Sequence, residues 1–247
     1  MRVRAWSRRF VAALLLLAVS TATDVNSFSD LESAVDGSTA DINVVASVVF
    51  ENTLYIDATA LTIESKAAGT TITVDSSIAG SFDLLQLSSS VERLTLKSLE
   101  FIALEGSSAG LIYLSQDATL ELVSCKFTQT RGWATLIYAS SSGMTLRVID
   151  TVFEDASNSY SDQPASLIQS TGGGGTVEIR RSTFVNNTAP LFYFEDTSVW
   201  LHANRFASNS RDASNGEAAV LYADGGNVNV SACRFTDHAY RVPPRNE

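Results

Sequence analysis

Four side chains in this chain are of types that could do chemistry on a sugar polymer: Arg147, Asp150, Arg180 and His202, with Arg181 beside them. In that reading Arg147 or Arg180 is the base and Asp150 holds a cation that bridges to an acidic sugar. The reaction would be that of a polysaccharide lyase, epimerase or hydrolase. Trp200 offers a different chemistry, an indole face on which a sugar ring can stack, with Tyr193 and Tyr222 as companions in the same platform. With only His202 and His238 in the whole chain, a histidine metal site is not expected, and no calcium-loop spacing occurs. Gly172 to Gly175 reads as a turn, because no Lys-Ser/Thr follows to make a phosphate loop.

These residues are placed by a phrase that the chain states six times. Its clearest form is Thr176-Val177-Glu178-Ile179-Arg180-Arg181-Ser182-Thr183-Phe184-Val185-Asn186-Asn187. Two apolar residues stand two apart, then comes a small residue, then Phe. The frame recurs at Leu94, Leu96, Leu99, Phe101; at Leu120, Leu122, Cys125, Phe127; and at Leu146, Val148, Thr151, Phe153. It returns at Val199, Leu201, Asn204, Phe206 and at Val228, Val230, Cys233, Phe235. Between the paired apolar positions stands an outward residue: Thr95, Glu121, Arg147, Glu178, Trp200, Asn229. If the phrases stack in register, Glu121, Arg147 and Glu178 alternate in sign, as do Glu100 and Lys126. Such ladders need alternating charge in any case, each pair contributing roughly 0.2–1 kcal/mol, so ion pairing is the preferred reading of Arg147 and its neighbours. Aromatics on strands are more often core or rim, which is the preferred reading of Tyr193 and Tyr222; Trp200 is the exception among them, because its slot points outward.

A second strand recurs between the Phe phrases, as in Leu111-Ile112-Tyr113-Leu114, Leu136-Ile137-Tyr138 and Leu191-Phe192-Tyr193, each followed by a turn-forming cluster. Successive Phe positions are 26, 26, 31, 22 and 29 residues apart, which a coil with protruding loops tolerates and a helical or leucine-rich repeat does not. The shorter alternations from Ile42 to Val74 read as the first, less regular rungs. The predicted fold is all-β: a right-handed single-stranded parallel β-helix, with three short strands per rung and seven to eight rungs. An antiparallel sandwich also has many short strands but gives no reason for one apolar frame to recur six times. Ahead of the coil, Ser29-Asp30-Leu31-Glu32 reads as a capping box opening a short helix over 29–36, which would cover the first rung.

The steps Phe184-Val185-Asn186-Asn187 and Phe206-Ala207-Ser208-Asn209 resemble the short repeats of polymorphic outer-membrane proteins, a group within the pectin-lyase-like β-helix superfamily. Gly216-Glu217-Ala218-Ala219-Val220 is similar to the Gly-Gly-Ala-Ile element found there, and the stretch from Asp30 to Ile63 to the superfamily's helix-then-strands entry. The other four phrases carry Leu104, Thr130, Ala156 and His238 where the family prefers Asn. The resemblance implies the β-helix fold; β-helix lyases pair an Arg or Lys base with carboxylate-bound calcium. The motifs of the enzymes are missing, however. Neither the Asn-Thr-Asp and Gly-His-Gly of polygalacturonases nor the Asp-Pro-His-Asp of mannuronan epimerases occurs.

Residues 1–22 read as a secretory signal: Arg2, Arg4, Arg8 and Arg9 precede the apolar run Phe10 to Ala18, with cleavage after Ser20 or Ala22. Ser7-Arg8-Arg9-Phe10-Val11 resembles a twin-arginine signal, but Leu14 to Leu17 favours the general route. No run reaches the roughly 20 apolar residues of a membrane span. Residues 23–247 would then form one extracellular β-helix domain. The net charge of −10 becomes −14 once the four signal arginines are gone, which makes nucleic acid and anionic membrane poor partners. Cys125 and Cys233 hold the same slot four rungs apart, about 19 Å at ~4.8 Å per rung, so no disulfide is expected. Asn186 and Asn229 lie in glycosylation sequons, the first in a loop and the second on a strand. After Phe235 no capping helix is expected, so the last rung should be open unless Ala239 to Val242 folds over it; either the protein associates there or it is part of a longer product. The reading preferred on these grounds is a non-catalytic β-helix that binds a glycan or surface protein through the outward strip containing Trp200.

Overall fold

Thr145–Ile149 shows how one rung begins. Leu146 and Val148 point inward and are fully buried, while Thr145, Arg147 and Ile149 face out, as strand alternation requires. One residue then turns the chain. Asp150 takes φ 52°, and the same left-handed conformation recurs one rung apart at Ser98, Ser124, Arg181, Ala203 and Ala232. Left-handed backbone is costly outside glycine, but here every such N–H except that of Ala232 in the last rung donates to the following rung: Asp150 N to Arg180 O at 3.1 Å, Arg181 N to His202 O at 3.0 Å. A three-residue strand carrying the Phe follows (Val152–Glu154), then a loop, then a third strand (Ile168–Ser170) whose Gly-rich turn enters the next rung.

Each strand pairs only with its counterparts in neighbouring rungs, always parallel. Among the described residues the result is a nine-stranded, an eight-stranded and a seven-stranded sheet, with a two-stranded sheet of Ser210–Asp212 and Ala239–Arg241 at the C-terminal end, wound as a right-handed parallel β-helix of about eight rungs. This computed structural model describes residues 22–37, 39–74, 83–102, 110–114, 116–130, 135–157, 166–212 and 220–241. The signal segment through residue 21, Leu104, the Gly216–Ala219 part of the Gly-Gly-Ala-Ile-like element and the tail from Val242 lie outside the described residues.

Inside, the Phe residues of the six phrases form one file. Successive ring centroids from Phe101 to Phe235 are 4.8, 4.9, 4.8, 5.2 and 4.7 Å apart, with planes within 18° of parallel. Beside it run buried polar columns. Asn187 donates to Phe153 O at 3.1 Å and Asn209 to Phe184 O at 2.9 Å, while Asn209 Oδ1 accepts the backbone N–H of Asn187 at 3.1 Å. The two Phe-x-x-Asn steps thus satisfy backbone groups that the following loop leaves without strand partners. Cys125 and Cys233 are free thiols in their own column, donating to Leu96 O and Leu201 O. Burial pushes the Cys125 thiol up to about 11.

The N-terminal end is covered by α1 (Phe28–Asp36), whose Phe28, Leu31, Ala34 and Val35 are buried over the first rungs; Phe28 meets Phe50 at 5.0 Å. The cap is Ser27, not Ser29. Its hydroxyl accepts the Asp30 N–H at 3.1 Å, and Asp30 reaches back to the Asn26 N–H at 3.3 Å. The cap is therefore Ser27 with Asp30 at the third position, Asp30 reaching one residue beyond the cap to Asn26. Starting there turns Phe28 onto the core face, an apolar contact that a start at Ser29 leaves outside the helix.

Candidate functional site

The outer face of the nine-stranded sheet is built from in-register columns. Thr95, Glu121, Arg147, Glu178, Trp200 and Asn229 stand one above the other on successive strands. Arg147 donates to Glu121 Oε1 at 2.9 Å, and its Nε lies 3.7 Å from Glu178 Oε2. Glu178 also pairs with Arg180. At the neighbouring bend Asp150 accepts two bonds from Arg181, both at 2.8 Å, and this guanidinium holds its carboxyl below the usual carboxylate range. Arg147 and Asp150 are thus both engaged by counter-ions.

Arg180 and His202 are directly opposite on adjacent strands, and His202 Nδ1 is 2.9 Å from Ser231 Oγ. They line a shallow depression of about 300 Å³ together with Glu178, Trp200, Leu201, Asn229 and Ser231. Trp200 is 41% exposed there, a large apolar surface among hydrogen-bonding groups. The structure brings Arg180, His202 and Trp200 to one place and leaves Arg147 and Asp150 outside its lining. The residues at Asp150 do not fit a calcium ion, since both carboxylate oxygens already accept from Arg181. Among the described residues no group of three His, Cys, Asp or Glu side chains could hold a metal.

Tyr193 and Tyr222 do not join Trp200. They belong to the seven-stranded sheet, and a turn through Asp196 and Thr197 separates the two faces. Instead they complete a column that a strand-by-strand reading misses: Tyr55, Gln86, Tyr113, Tyr138, Gln169, Tyr193 and Tyr222, in register along the coil. Tyr113 stacks on Tyr138 at 5.5 Å and Tyr193 on Tyr222 at 4.9 Å. The signal was in the sequence, as the third residue of each Leu-Ile-Tyr-type strand. It becomes visible only once those strands are aligned with each other rather than with the Phe phrases.

A second depression, of about 350 Å³, is lined by Gln129, Asp155, Ala156, Ser157, Asn186 and Thr188. Asn186 is exposed at its rim with φ 55°, and Asn229 is exposed on its strand. No helix among the described residues is long and apolar enough to cross a membrane. No protein-family model matches this chain, and no curated protein matches its sequence.

Proposed function

We propose that this chain is a secreted, non-catalytic β-helix that binds glycan at a cell surface or matrix through the outer face of its nine-stranded sheet. The observation that carries the reading is the half-exposed indole of Trp200 in a depression whose rim offers Arg180, His202, Asn229 and Ser231 as hydrogen-bonding groups. A sugar ring presents an apolar C–H face and a polar hydroxyl edge, and an aromatic surface ringed by donors and acceptors fits both. The Phe-x-x-Asn steps that resemble surface proteins of the pectin-lyase-like superfamily support an extracellular place for it. A surface protein could occupy the same strip, and a glycan array distinguishes the two. We expect a signal for a defined glycan that Trp200→Ala abolishes while thermal unfolding is unchanged; no signal on the array would sink the glycan reading.

The second reading, a polysaccharide-active enzyme, draws on Arg180 and His202 lining the depression that holds Trp200. It has to work without calcium at Asp150. Depolymerisation of uronate polymers, measured with and without calcium and beside Arg180→Ala, separates the readings: turnover that the substitution removes would overturn the non-catalytic one.

A further inference from the structure

We propose that two copies of this chain join tail to tail, their nine-stranded sheets running on as one across a two-fold axis at Asn229. At the C-terminal end the three large sheets finish in Leu221–Asp224, Val228–Ser231 and Arg234–Thr236, and the two-stranded sheet in Ala239–Arg241. The inward side chains of this rung are open: Val228, Val230 and Phe235 are 43%, 46% and 48% exposed, against at most 1% for Val199, Leu201 and Phe206 one rung back. Each of the three strands also presents an outer edge that no described strand pairs.

Geometry selects the partner. A two-fold axis perpendicular to the coil reverses the winding, so the strand Val228–Ser231 meets its own copy antiparallel. The eight-stranded sheet of one copy then meets the seven-stranded sheet of the other. Inward residues must oppose inward residues, and Val228 and Val230 point in while Asn229 points out. The centred register that satisfies this sets Asn229 against Asn229, and Val228 against the second copy's Val230. The same register carries Asp224 over the second copy's Arg234.

Charge supports this match. The outer faces otherwise set opposite charges on neighbouring strands, as in Glu64–Lys97, Glu100–Lys126 and Glu121–Arg147. Near the open end the pattern breaks twice, with Arg205 opposite Arg234 and Glu195 opposite Asp224. Arg205 and Arg234 are exposed and have no ion-pair partner among the described residues. Like charges directly opposite are destabilising. A second copy, turned over, brings the acidic corner of one to the basic corner of the other, twice per interface. Stacking head to tail is blocked because α1 covers the other end, so the assembly closes as a dimer rather than growing into a filament. Asn229 and Ser231 belong to the joining strand and also line the Trp200 depression, so the seam unites two such depressions into one longer face. Glycosylation at Asn229 and this joint exclude each other.

Sedimentation equilibrium on the purified chain tests the proposal, with circular dichroism as the check on folding. The chain should sediment as a dimer. Asp224→Arg and Arg234→Asp should each weaken association by about tenfold or more, because each change sets like charges together at two places. The two substitutions combined should restore it. In a Cys233→Ser background, Asn229→Cys should form an intermolecular disulfide, since opposed antiparallel residues lie within bridging distance. A monomer at all concentrations, including one whose residues 242–247 fold over the end, overturns the proposal. So does a dimer that neither single charge reversal weakens, or one that the double variant fails to restore.

Discussion

The two ends of the coil are made of the same inward residue types and meet different surroundings. At the N-terminal end Val48, Phe50, Leu54 and Ile56 are at most 2% exposed, because Phe28, Leu31, Ala34 and Val35 of α1 lie over them. At the other end Val228, Val230 and Phe235 hold the columns of Val199, Leu201 and Phe206 and remain nearly half exposed. A side chain in a coil is covered from above and below by its neighbours in the column. Its contribution, about 1.5–3 kcal/mol when fully buried, is set by whether both neighbours exist rather than by what it is. Of two chemically identical residues, one can therefore support the fold while the other is available for association.

The Phe file tests this most sharply. Phe184→Ala, with a ring on either side, should cost about 3–5 kcal/mol in urea unfolding, whereas Phe235→Ala should cost less than about half of that. Equal losses would mean that the open end is covered in solution, and dilution would show whether a second copy covers it. Next comes the cap. Leu31→Ala should lose about 2–5 kcal/mol and expose the first rung, making it resemble the last; binding of a hydrophobic dye should rise. Asn209→Ala removes the acceptor for Asn187 N–H and the donor to Phe184 O, and should cost about 1–3 kcal/mol by leaving buried backbone groups unpaired. At the surface of the cap the effect falls further: Ser27→Ala should cost about 1 kcal/mol and Ser29→Ala close to nothing.

That last pair shows where the sequence was legible and where it was not. The recurrence of Phe after a two-residue apolar alternation could be read directly, because a parallel coil imposes one inner environment on every rung and so repeats its chemistry. The helix was legible as an amphipathic stretch, yet its cap was read two residues late. Ser27 and Ser29 are both competent caps, and only the packing of Phe28 against Phe50 chooses between them. The outward columns were half legible. Glu121, Arg147 and Glu178 followed from the Phe frame, but the Tyr and Gln column lies on strands joined by loops of variable length. The grouping of Trp200 with Tyr193 and Tyr222 failed for a related reason: residues close in sequence face different directions once a turn intervenes. The left-handed bends carry Ser, Asp, Arg or Ala and no glycine, so composition gave no sign of them.

The smallest effect bears on charge along the coil. Glu64, towards the covered end, accepts from Lys66 and Lys97, which hold its carboxyl below the ordinary value; Asp150, further along, is lowered by Arg181. A depressed carboxylate binds its proton less readily folded than unfolded. Its contribution is therefore complete above the unfolded value of about 4 and is lost as pH falls through the lower folded value. Asp150 is exposed and Glu64 partly so, so the change should be modest and should shrink in salt. Glu64→Gln and Asp150→Asn should each flatten the acid limb of a stability–pH profile below about pH 4. Arg205 and Arg234 have no carboxylate to lose within one copy, so Arg205→Ala should leave that limb unchanged in the monomer. In the tail-to-tail dimer, where Asp224 meets the second copy's Arg234, salt should weaken association as well. A dimer constant that does not move with salt would overturn that joint, as a dimer that neither charge reversal weakens would.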